Sequence, residues 1–138
     1  MLAQLKYSLC DLALHHEFDP YSSTSTFDVW YEVCLAPSHL PCMQEADFLC
    51  SFHHIFGGND YAAAYYSYKW AEVLSADAFE VFQEAGSDNW TLLRSLGEKF
   101  KTTFLELGGS MHPMEVFELF RGRPPTIDAL LKQKGFKK

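Results

Sequence analysis

The chain has 138 residues, 48% of them hydrophobic and 21% charged, with a formal net charge of −7. That is one domain's length, enough to bury a core of its own, and the acidic balance argues against a nucleic-acid backbone as partner. No uninterrupted apolar run could cross a bilayer, and Gln4, Lys6 and Asp11 break the first apolar stretch too often for a signal-peptide core.

In chain order, Leu2, Leu5, Leu9 and Leu12 recur at helical spacing and predict a first helix with a buried leucine face. It runs into Leu14-His15-His16-Glu17-Phe18-Asp19-Pro20, which begins like the zinc motif H-E-x-x-H. Two histidines four apart on a helix would share one metal, with the glutamate activating a bound water. Here Pro20 stands four after His16 and Asp19 four after His15, so the second ligand is missing and the stretch reads as a helix end.

Ser25 with Asp28 three later resembles a capping pair opening a helix that carries Phe27, Trp30, Tyr31 and Cys34. Pro37 and Pro41 end that helix and begin a loop, and the segment Glu45 to Phe56 is read as helix or irregular chain. After Gly57-Gly58-Asn59-Asp60, with Asp60 as N-cap, the longest helix is predicted from Tyr61 to Ala85, stopped by Gly86. Ser87 is expected to cap the next helix, whose stripe is Leu93, Leu96, Phe100, Phe104 and Leu107, ended by Gly108-Gly109. Pro113 suits the first position of a short helix through Phe120, and Thr126 is expected to cap a last helix closed at Gly135. With no run of alternating β-branched residues, the expected fold class is all-α, with about six helices forming a single segment over 1–138.

Cys10, Cys34, Cys42 and Cys50 form no C-x-x-C pair, which argues against a zinc knuckle or a redox pair and favours free thiols. Tyr61, Tyr65 and Tyr68 stand at i, i+4 and i+7, so on a helix their hydroxyls would share one face with Glu72. Phenol hydroxyls are directional donors at neutral pH, suited to holding a carbonyl oxygen as it gains charge. The same spacing also suits plain core packing, the place expected for Trp70. Arg121 and Arg123 could clamp a carboxylate bidentately, or be solvated.

Residues 52–79, FHHIFGGNDYAAAYYSYKWAEVLSADAF, resemble the H-x-x-x-G-x-x-Y…Y-x-Y region of the thimet oligopeptidase and oligopeptidase A family of zinc metallopeptidases. Residues 108–136, GGSMHPMEVFELFRGRPPTIDALLKQKGF, are similar to the same family's C-terminal end, and residues 2–20 to a helix downstream of its zinc site. Residues 21–51 match poorly and are read as a connecting region. The resemblance implies the C-terminal part of a larger all-α catalytic domain that cleaves short peptides. Its zinc ligands, H-E-x-x-H and a later glutamate, would lie upstream, so the chain reads as a truncation, a short product or an incomplete gene product. By itself it is expected to bind no zinc tightly and to cleave nothing.

The resemblance assigns Tyr68 as oxyanion donor with His54 assisting, Tyr61 and Tyr65 as substrate grips, and Gly57 and Gly58 as the substrate-side loop. Asn59 and Asp60 depart from the family pattern, in which the glycines run almost directly into the first tyrosine. The implied compartment is the cytoplasm, or a mitochondrion or plastid if an upstream transit peptide exists. The alternative is a non-catalytic helical interaction module that self-associates through exposed apolar faces.

Overall fold

The computed structural model describes residues 2–35, 48–58 and 60–137. The loop expected at Pro37 and Pro41, the first residues of the Glu45–Phe56 segment, Cys42 and Asn59 lie outside them. Among the described residues there are eight α-helices, two π-helical stretches and no strand, so the chain is all-α. The helices are α1 (Leu2–Leu12), α2 (Thr26–Leu35), α3 (Phe48–Ser51), α4 (His53–Phe56), α5 (Ser67–Ala85), α6 (Trp90–Phe100), α7 (Pro113–Arg121) and α8 (Asp128–Gln133). The two short helices around Phe52 account for the excess over the expected six. The residues group into two compact units, 1–69 and 70–138.

In the first unit α1 continues into a π-helical stretch, Ala13–Glu17, closed by the Phe18 N–H donating to the Ala13 carbonyl at 2.9 Å. The would-be zinc motif is therefore the widened end of a helix. The α2 cap forms as its sequence requires. Ser25 N–H and Oγ both reach Asp28 Oδ2 at 2.7 Å, and the Asp28 N–H returns to Ser25 Oγ at 3.1 Å. These bonds hold the Asp28 carboxyl below its ordinary value of 3.8. In Ser25→Ala the Asp28 carboxyl should titrate closer to 3.8, a change that carbon-13 NMR of the side chain would follow.

The core of this unit is Cys10, Trp30, Cys34 and Leu49, with Tyr7, Leu14, Val33 and Phe48 packed on it. The leucine ridge of α1 is not its buried face: Leu2 and Leu9 are 39% and 44% exposed, whereas Lys6, Ser8, Cys10 and Asp11 are buried. Tyr7 turns this other face inward by stacking on Phe48, at 4.9 Å between ring centres, and Lys6 lays its ammonium over Trp30 at 4.9 Å. Leu9 and Leu12 instead line an open groove of about 680 Å³. Cys10 and Cys50 carry free thiols, and burial pushes the Cys10 thiol up to about 11. Cys34 is disulfide-bonded, a correction to the expectation of free thiols throughout.

In the second unit Gly86 ends α5 and Gly122 ends α7, both in the left-handed region where glycine carries no Cβ penalty. Pro113 sits in the first turn of α7 as expected, behind His112, whose ring accepts from the Met114 N–H. Two caps differ from the sequence reading. Asn89, not Ser87, caps α6 by accepting from the Leu92 N–H at 3.2 Å, while Ser87 bonds to Asp88. Thr126 does not cap α8, because the helix begins at Asp128 with Ile127 in the cap position; the Thr126 N–H donates to Asp77 at 2.7 Å. A second π-helical stretch, Lys101–Leu105, follows α6, with the Thr102 and Thr103 hydroxyls bonded back to the Glu98 and Lys99 carbonyls.

Ala78, Phe117 and Phe120 form one core cluster, against which Phe100 and Phe104 of the predicted stripe pack edge to face. Val73, Ala76, Ala129 and Leu130 form another. Trp70, expected in the core, is 45% exposed.

Arg121 and Arg123 do clamp a carboxylate, and it belongs to this chain. Asp77, fully buried, accepts from Arg121 Nε at 2.8 Å and from both terminal nitrogens of Arg123, at 2.8 Å and 2.7 Å. Glu80 extends the network to Arg121 at 2.9 Å and to Lys132 at 2.6 Å. Bidentate guanidinium–carboxylate pairing at these distances is among the strong charge-assisted geometries. Glu72, expected on the tyrosine face, lies 3.6 Å from the ammonium of Lys134.

Candidate functional site

The tyrosines reach their positions by a different route from the one their spacing suggests. The helix begins at Ser67, so Tyr61 to Tyr66 form consecutive turns and Asp60 caps nothing. Ala63 takes a φ of 58°, the left-handed region that costs a non-glycine residue about 1–2 kcal/mol. A continuous helix from Tyr61 is incompatible with that backbone.

The rings nevertheless converge, and His54 from α4 stands among them. Its imidazole centre is 4.9 Å from Tyr61, 5.5 Å from Tyr65 and 5.7 Å from Tyr68. Tyr61 and Tyr68 stack with planes 5° apart and centres 5.9 Å apart, while Tyr65 meets Tyr68 edge-on at 5.2 Å. Phe52 and Tyr7 support Tyr65 from the core side, at 5.4 Å and 6.1 Å. The polar link is His54 Nε2 to the Tyr68 hydroxyl at 2.7 Å, made by either the phenol O–H or the imidazole N–H according to tautomer.

His54, Tyr61 and Tyr68 are exposed and Tyr65 is half-buried. A hydrogen bond with Tyr61, then burial, then the neighbouring phenols hold the Tyr68 hydroxyl above its ordinary value of 10.0. Burial, and then Tyr7, do the same for Tyr65. Both therefore remain neutral O–H donors at physiological pH. With the imidazole N–H donating to the phenol oxygen, the pair leaves the phenol O–H free to be directed at an acceptor oxygen.

The glycine loop closes a concavity of about 230 Å³ lined by His53, His54, Gly57, Gly58, Asp60 and Tyr61. Gly57 is required there for space: a Cβ would clash with Nε2 of His53 and stand 2.7 Å from its carbonyl oxygen, which accepts the Gly57 N–H at 2.7 Å. Around Gly58 a Cβ would meet nothing.

Sequence reasoning missed one residue of this assembly. Asp11, fully buried in α1, accepts from the Ala63 N–H at 3.0 Å through Oδ1 and from the Tyr65 N–H at 2.8 Å through Oδ2. His15 Nδ1 lies 2.8 Å from the same Oδ1. Charge-assisted hydrogen bonds of this kind contribute about 1.5–3 kcal/mol each, enough to hold the strained turn. The only signal in the sequence was a carboxylate inside an apolar helical pattern, which is seldom buried without partners.

The first unit is thus a helical one that gathers an imidazole and three phenols beside an open concavity, which His54 and Tyr61 line. Comparison with known proteins gives the family: residues 1–136 match Peptidase family M3, and the chain belongs to it. It is 48% identical over 134 residues to organellar oligopeptidase A, chloroplastic/mitochondrial, of Arabidopsis thaliana, covering 97% of this chain and 17% of that protein. It is 46% identical to a probable cytosolic oligopeptidase A of the same plant (97% of this chain, 19% of that one). To oligopeptidase A of Salmonella typhimurium it is 42% identical over 137 residues (99% and 19%). The chain thus spans less than a fifth of the length of these relatives. Among its described residues no helix is long and apolar enough to cross a membrane.

Proposed function

We infer that this chain supplies the substrate-binding and oxyanion-stabilising part of a zinc metalloendopeptidase acting on short peptides. The observation that carries the reading is the 2.7 Å contact between His54 Nε2 and the Tyr68 hydroxyl at an open surface, with Tyr61 and Tyr65 within one ring's reach. In this reading Tyr68 donates to the peptide carbonyl oxygen as it gains charge, and His54 assists by donating its Nε2–H to the phenol oxygen and so orienting that hydroxyl. Tyr61 and Tyr65 grip the neighbouring backbone, and the glycine loop leaves it room.

The described residues do not fit zinc: no three His, Cys, Asp or Glu side chains among them converge as a metal site.

The test is a graft of the 138 residues in place of the matching stretch of a full-length relative. A misplacement of 1 Å costs on the order of 10² in rate, so short-peptide turnover within about tenfold of the host's is the expected result. A folded graft without turnover would sink this reading. That outcome would favour the non-catalytic interaction module, for which the exposure of Trp90 (77%) and Leu105 (67%) is the supporting observation.

A further inference from the structure

We propose that Asp11, braced by His15, is a positioning residue that sets the Tyr61–Tyr66 turn and so holds the tyrosines against His54. This rests on the peptide-binding role inferred above for those tyrosines. Two backbone donors converge on one buried carboxylate, the N–H groups of Ala63 and Tyr65 at 3.0 Å and 2.8 Å, and His15 Nδ1, hydrogen-bonded to the Asp11 carbonyl at 3.0 Å, lies 2.8 Å from Oδ1. The two backbone donors come from residues 52 and 54 positions further along the chain, so the contact fixes tertiary placement and not local helix structure. One of them is the strained residue itself, Ala63, which holds the left-handed φ, and the other, Tyr65, carries the next ring to meet His54.

The geometry explains why a carboxylate is needed. Two N–H groups point at two different oxygens of one side chain, which an ionised carboxylate accepts together. An amide in the same place offers one acceptor and turns an NH₂ donor towards the other N–H. The stretch that imitates a zinc motif thereby acquires a role, since His15 holds the Asp11 carboxylate in place from within the same helix.

The experiment uses the whole chain in solution and reads no hydrolysis, so its failure is separate from that of the proposed function. In the unmodified protein the Ala63 and Tyr65 amides should exchange with deuterium at least about tenfold more slowly than their intrinsic rates. Exchange at intrinsic rates overturns the proposal, whatever the variants do. In Asp11→Asn the nuclear Overhauser contacts from the His54 ring to the Tyr61 and Tyr68 rings should be lost, while α1 and α5 keep their helical shifts. Adding Ala63→Gly, which makes the left-handed φ free of Cβ strain, should restore those contacts at least in part. Retained ring contacts in folded Asp11→Asn, or no recovery with glycine at 63, would show that Asp11 does not set this turn. If Asp11→Asn does not fold, the exchange rates of the unmodified chain decide.

Discussion

Removing one oxygen atom, in Tyr68→Phe, is expected to lower kcat of the grafted oligopeptidase by about 10²–10³ while leaving KM within about threefold. The asymmetry follows from where the hydroxyl acts. In the ground state the peptide carbonyl is a modest acceptor, and Tyr68 already has a partner in His54 at 2.7 Å, so little binding is forfeited. As charge develops on the carbonyl oxygen, a positioned neutral phenol becomes worth far more, and only interactions that strengthen on the way to the transition state alter kcat. The ring stack on Tyr61 survives the substitution, so the pocket's shape is preserved. Tyr61→Phe and Tyr65→Phe should instead act mainly on KM, because those rings are assigned to the substrate backbone. Steady-state kinetics on the three variants separates the roles. A Tyr68→Phe enzyme with unchanged kcat would remove the oxyanion assignment, and a fall confined to KM would reassign Tyr68 to binding.

The second large effect is on folding. Asp77→Ala should destabilise the chain by about 3–5 kcal/mol, measured by chemical denaturation, because it removes the buried carboxylate on which two guanidinium groups and the Thr126 N–H converge, leaving Glu80 to face both arginines. Against a total stability of about 5–15 kcal/mol for a domain of this size, that loss is a large fraction. The same site sets an acid limit. Burial pushes the Asp77 carboxyl up, but hydrogen bonds from Arg123, Arg121 and the Thr126 N–H outweigh it and hold it down to about 2, from an ordinary 3.8. A carboxyl depressed on folding contributes stability that is complete above its unfolded value and is lost as pH falls through the folded one. About 2–3 kcal/mol should therefore disappear between roughly pH 4 and pH 2. Asp77→Ala should flatten that part of the stability–pH curve. An equally steep acid limb in the variant would show that other carboxylates carry it.

Some of this architecture was written in short spans of sequence. The Ser25–Asp28 cap, the glycine stops at 86 and 135, and Pro113 opening α7 behind His112 all depend on bonds or dihedral preferences within about four residues. The all-α class and the Phe100–Phe104 stripe follow from 3.6-residue periodicity, which is equally local. The family resemblance singled out His54 and the three tyrosines, and their side chains do lie together.

How they come together was decided elsewhere. Helical spacing at 61, 65 and 68 suggested a ridge, yet a carboxylate more than fifty positions away draws the Ala63 and Tyr65 amides into a turn and delays the helix to Ser67. Thr126 stands one residue before the cap position of α8 and instead gives its N–H to Asp77, 49 positions away. The leucine ridge of α1 stays half-open because Tyr7 and Lys6 find Phe48 and Trp30 on the other side. What the sequence determined by itself is the cap that opens α2, the proline that opens α7, the glycines that follow α5 and α8 and the Phe100–Phe104 stripe, since those energies are settled between near neighbours. Which face is buried, which backbone turn is held and which arginine meets which acid depended on the folded chain, because a buried carboxylate must collect its donors from wherever the closed chain delivers them.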